Sequence, residues 1–118
     1  MTATQVALVS RDLLFGSRIA DAAARAGVRL ARVDEPAQLP PAASVSLVLV
    51  DWAERQPGWG DQLKTWMASD SLDASRVILY GPHTDLEAHA DARAFGLGPM
   101  WARSKLLAEL PPIMSGVR

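Results

Sequence analysis

VSLVLVD, residues 45–51, is the most hydrophobic stretch of the chain and closes on a carboxylate. A continuous apolar run, without polar alternation, is what a strand needs when both of its faces are covered. That is the condition of a central strand in a parallel sheet, so 45–50 reads as such a strand, ending at Asp51. Working outward, 6–9 (VALV) and 77–80 (VILY) are shorter runs of the same kind, and the second ends at Gly81-Pro82. Residues 28–33 (VRLARV) alternate instead, as a strand does when one face is less buried.

Between these runs the apolar period changes. In 13–26, Leu14, Ile19, Ala22, Ala23 and Ala26 recur at helical spacing. Asp12 is placed to cap this helix and Gly27 to end it. Residues 35–39 have room only for a short helix before Pro40-Pro41 breaks the pattern. Gln56-Pro57-Gly58 is loop, and 60–68 is helical, with Trp59, Leu63, Trp66 and Met67 forming one core-facing stripe. A helix over 85–95 is closed by Gly96, 99–102 is a weak last strand, and 104–110 is a last helix. Pro111-Pro112 either ends that helix or restarts it at an angle. Five strand-helix alternations with short connections predict a doubly wound α/β domain spanning 1–118. Its parallel sheet has the flavodoxin-like order 2-1-3-4-5, with helices on both faces. In that topology the functional crevice lies at the carboxyl ends of strands 1 and 3, here Ser10-Arg11-Asp12 and Asp51.

Bulk composition narrows the function classes. A length of 118 residues is one ordinary domain, able to bury roughly two-thirds of its unfolded surface. Twelve basic and thirteen acidic residues leave a formal charge of −1, which gives no electrostatic reason to expect nucleic acid or an anionic membrane as partner. With no cysteine, disulfides, thiolate nucleophiles and Cys-based zinc sites are excluded. There is no basic-then-apolar leader, and no apolar run approaches the ~20 residues of a membrane span. The expectation is a cytoplasmic domain.

On these residues the chain resembles the receiver domain of bacterial two-component response regulators, over nearly its whole length. The resemblance implies a phosphoacceptor aspartate at the end of strand 3, matched by Asp51 closing VLVD. It also implies an acidic pair after strand 1. The segment VALVSRDLLFGSRIADAAARAG aligns without a gap and puts Ser10 and Arg11 there, with Asp12 able to serve as one acid if the register slips by one. Gly81 stands at the Thr/Ser position after strand 4, and Arg103 with Ser104 at the Lys-Pro position after strand 5. The layout matches, while four of the five chemical positions depart from the family pattern.

Each departure has a chemical consequence. Phosphoryl transfer to a carboxylate needs Mg²⁺ to neutralise charge on both oxygens, and Mg²⁺ wants carboxylates in near-octahedral oxygen geometry. A guanidinium at Arg11 repels that ion, and Gly81 lacks the hydroxyl that would bind an aspartyl phosphate. Arg103 keeps a positive charge near Asp51, as a planar fork in place of a point charge. The reading is therefore a pseudo-receiver: a non-catalytic signalling module without cofactor that binds another protein through the surface of the last two helices and the last strand. An arginine reaching Asp51 would fill the space of metal and phosphate. The partner expected is a histidine kinase, a downstream signalling protein or a second copy of the chain. Because the chain stops soon after its last helix, the expectation is either output by association or a domain excised from a longer protein. Two alternatives stay open. One is an atypical active receiver, with Asp12, Arg103 and Mg²⁺ serving Asp51. The other is a small-ligand-binding flavodoxin-like domain.

Other residues have plainer readings. His83, His89 and Asp85 follow no recognised metal spacing, and the i, i+4 pairs Asp85–His89 and His89–Arg93 account for them. Phe15-Gly16-Ser17 and Gly96-Leu97-Gly98-Pro99 do not have the placement of phosphate-cradling loops. Trp52 and Trp101 are interface anchors if exposed and packing if buried.

Overall fold

Every residue of β3 (Leu47–Asp51) is buried, and β3 is the middle strand of a five-stranded, all-parallel sheet. The structure is a computed structural model and describes residues 5–69 and 76–117. The sheet order is β2 (Arg29–Val33), β1 (Gln5–Val9), β3, β4 (Val77–Gly81), β5 (Met100–Ala102), the flavodoxin-like arrangement. Side-chain alternation along the strands divides the core in two. Val6 and Leu8 of β1, Leu47 and Leu49 of β3, and Tyr80 of β4 face α1 (Leu13–Ala26) and α4 (Arg103–Val117). Ala7, Val9, Val48, Val50, Val77 and Leu79 face α2 (Trp59–Ala68) and α3 (Leu86–Ala94). Each fully buried Leu or Ile contributes about 1.5–3 kcal/mol, which is why the two-sided apolar runs dictate a sandwiched sheet. β2 is an edge strand with Arg29 and Arg32 exposed, so its weaker apolar pattern follows from its position.

Local signals set the helix ends. The Asp12 side chain accepts from the Phe15 backbone N–H at 3.0 Å, and Gly27 takes the left-handed conformation at φ 71° that ends α1. Asp85 caps α3 in the same way through Ala88 N–H. On α2, Trp59 and Leu63 are buried while Trp66 and Met67 pack on the core as half-buried residues.

Two expectations need correction. The described residues contain four α-helices, because β2 is followed only by 3-10 turns at Pro36–Gln38 and Ala42–Ser44. Three prolines in that connection remove donors and hold the chain out of α geometry. Side chains of α2 tie it down instead: Trp66 Nε1 donates to the Pro40 carbonyl at 2.7 Å, and Gln62 Oε1 accepts from Ala37 N–H at 3.1 Å. The second correction concerns α4, which does not end at Pro111-Pro112 but runs on to Val117. Both prolines are exposed, while Leu106, Leu110 and Met114 form a buried i, i+4, i+8 row that holds the two halves of the helix on one core. No helix among the described residues is long and apolar enough to cross a membrane.

Candidate functional site

The β1–β3 switch point brings together Ser10 and Asp51, the only polar or charged residues buried in the core among the described residues. Asp51 has no exposed surface, and by alternation its side chain falls on the α1/α4 face with Leu47 and Leu49. Ser10 Oγ donates to Asp51 Oδ2 at 3.3 Å and accepts from Asp12 N–H at 3.0 Å. The Asp12 carboxylate is occupied with the end of α1.

Of the two arginines expected near Asp51, Arg103 is the one that arrives. Its Nη2 lies 3.8 Å from Asp51 Oδ1, an ion-pair distance beyond hydrogen-bond reach. Arg103 is the first residue of α4, directly after β5, so the fifth crossover itself delivers the cation. Its guanidinium also lies 5.9 Å over the Phe15 ring, which in turn is 5.0 Å from the ring of Tyr80. Arg11 is exposed and lines a different cleft with Asp12, Glu54, Gln56 and Trp59.

The pair is under-compensated. Among the described residues, Asp51 Oδ1, the Tyr80 hydroxyl and Arg103 Nε are buried without a hydrogen-bond partner. The Asp51 carboxyl is raised from 3.8 to about 6, chiefly by burial, with Glu54 and Asp12 adding to the rise. Arg103 and the Ser10 hydroxyl pull the other way without cancelling the effect. Burial, then the charge of Asp51, likewise raises Tyr80 above the usual phenol range. Tyr80 and Phe15 were not singled out by the sequence. The available signal was register: β4 pairs Tyr80 with Asp51, so period-2 alternation puts both on one face.

Gly81 is a site of close approach. A Cβ there would lie 2.8 Å from Ala53 Cβ and 2.9 Å from Met100 Sδ, with Ala53 N at 3.4 Å. The 3-10 turn Trp52–Glu54 after β3 fills the space a hydroxyl side chain would need. Gly81→Ser is therefore expected to cost about 1–3 kcal/mol, read as a lower urea midpoint. An unchanged midpoint would mean that the turn yields freely.

The tryptophans separate. Trp52 is fully buried on the other sheet face, where Nε1 donates to the Ala88 carbonyl at 2.9 Å and the ring meets Phe95 edge-on at 6.3 Å. Trp101 is half-buried, with Lys105 Nζ 4.5 Å over its ring.

The donor set does not fit Mg²⁺. Its one central carboxylate is sealed and faces a guanidinium, Ser10 is turned to that carboxylate, and Asp12 is engaged as a cap. No cluster of three or more His, Cys, Asp or Glu suited to a metal occurs among the described residues, so His83, His89 and Asp85 do not form one. His89 Nε2 instead lies 3.0 Å from the His83 carbonyl. Comparison with protein-family models gives no match, and neither does comparison with curated proteins.

Proposed function

We propose that this chain is a signal-transduction module of receiver-like build that works without phosphoryl transfer, by binding another protein. The observation that carries the reading is the state of Asp51: it stands at the switch point of the sheet yet is sealed from solvent, with Arg103 in the space beside it. An in-line phosphoryl donor needs an exposed nucleophile and a cation on the transferred oxygens. Neither requirement is met by a fully buried carboxylate whose donor set does not fit Mg²⁺. Support for association comes from the α3–β5–α4 surface, where half-buried Trp101 carries Lys105 over its face and Leu86 is 76% exposed at the start of α3. An aromatic ring with a cation held over it suits a protein contact. The partner on this reading is a kinase, a downstream signalling protein or a second copy of the chain.

A second reading keeps Asp51 as an acceptor, because Arg103 leaves a positive charge where a phosphoryl group would want one. The two separate in one experiment. Wild type and Asp51→Ala are incubated with Mg²⁺ and acetyl phosphate and weighed intact, and tryptophan emission is followed with Mg²⁺ and beryllofluoride. The expected result is no mass gain and no saturable emission change in either protein. A Mg²⁺-dependent response that Asp51→Ala abolishes would overturn the proposal.

A further inference from the structure

The contacts around Asp51 are arranged unevenly. Oδ2 has the Ser10 hydroxyl, whereas Oδ1 has only the Arg103 charge at 3.8 Å and no hydrogen bond among the described residues. The groups facing this carboxyl come from each neighbouring element: Ser10 at the end of β1, Asp12 at the start of α1, Glu54 after β3, Tyr80 on β4 and Arg103 on α4. Two are acids, one is a phenol, and a single cation answers them. Arg103 pairs with the buried carboxyl and also reaches the surface, its side chain being 36% exposed while Nε is buried and unpartnered.

We propose that Asp51 and Arg103 form a proton-operated latch, in which uptake of one proton by Asp51 releases the guanidinium and frees the β5–α4 junction. The proton adds to Oδ1 from solvent, no other bond changes, and the site's net charge rises by one. Once Asp51 is neutral, an ion pair without a hydrogen bond has nothing left to hold it. Arg103 then gains by turning its unpartnered Nε to water. The protonated carboxyl becomes a donor on the sheet face it shares with Tyr80, whose hydroxyl lacks a partner among the described residues. Arg103 follows Trp101 by two residues and precedes Lys105 by two, so its release acts on the segment that carries the half-buried aromatic surface. The raised Asp51 carboxyl places the event near pH 6.

This inference rests on the reading of Asp51 as an internal ion-pair partner. Its test is a pH series of ¹H–¹⁵N spectra from pH 4.5 to 8. For wild type, the Trp101 indole and the Arg103 and Ser104 amide signals are expected to move together with a midpoint near 6. Asp51→Asn is expected to keep them at their low-pH positions throughout. The variant His83→Gln/His89→Gln is expected to titrate like wild type. Flat signals, Asn signals at the high-pH positions, or loss of the titration with the histidines would each overturn the latch. If Asp51→Asn does not fold, the wild-type and histidine-variant series decide alone. Adding beryllofluoride with Mg²⁺ at pH 8 distinguishes the two levels: a response there overturns the phosphorylation-independent reading, whereas flat pH series without one overturn only the latch.

Discussion

Trp52→Ala is expected to remove about 3–5 kcal/mol of stability, the largest loss expected from any single change discussed for this chain. The indole is fully buried, packs edge-on against Phe95 and donates to the Ala88 carbonyl, so truncation deletes a large volume between β3 and α3. The cavity closes poorly because both walls are fixed: one is the central strand, and the other is α3, with Ala88 and Ala92 at 0% exposure. Arg55, 5.3 Å over the same ring and paired with Asp91, loses its platform as well. Against a typical total of about 5–15 kcal/mol, such a loss brings the domain close to unfolding at room temperature. Urea denaturation of wild type, Trp52→Phe and Trp52→Ala checks this. Trp52→Phe, which keeps a ring and loses the N–H donor, is expected to fall between the other two. A cost below about 1 kcal/mol for Trp52→Ala would show that the turn after β3 does not depend on this anchor.

That anchor also explains what could and could not be seen in the sequence. VSLVLVD, VALV and VILY announced a sandwiched parallel sheet because burial on both faces leaves no room for polar alternation. Asp12 and Gly27 marked the ends of α1 because capping is local chemistry. The missing helix after β2 was half legible in Pro40-Pro41, but its replacement by turns tied to Gln62 and Trp66 is a tertiary matter. The course of α4 through Pro111-Pro112 was hidden for the same reason, since the buried row Leu106, Leu110, Met114 outweighs a local helix-breaking signal.

At the candidate site the sequence identified the position but not the closure. Asp51 and Ser10 meet as strand order requires. Which arginine reaches Asp51 depends on how α4 leaves β5, and that information is not local. Gly81 reads as an absence only against the resemblance, which implies a hydroxyl there. In the fold it is a requirement, because Ala53 and Met100 crowd the place where a Cβ would go. The close packing of the turn and the absence of a side chain at residue 81 are thus one structural fact. Trp52 ties them together: its side chain fixes the turn on one sheet face while Asp51, its neighbour in the chain, is sealed on the other.

Asp51→Asn is expected to gain stability relative to wild type as pH rises, by about 2 kcal/mol between pH 4 and pH 7.5. The folded carboxyl titrates near 6, above its ordinary 3.8, so between these values the folded protein holds a proton that the unfolded chain has released. Stability from this group is therefore greatest at low pH, falls through the window from about 4 to about 6, and stays low above it. The gap between the two values sets the size of the effect. Asparagine has nearly the same shape and no charge, so it lacks this slope, and the other titrating groups are common to both proteins. The absolute difference at any one pH also contains the loss of the Arg103 ion pair, but its change with pH isolates the buried charge. Urea unfolding of both proteins across the series measures it. Parallel stability curves would mean that water or motion at the site solvates Asp51 well enough for it to ionise as an ordinary carboxylate. Diverging curves would establish that the fold carries a costly buried charge at neutral pH, with Arg103 as its ion-pair partner.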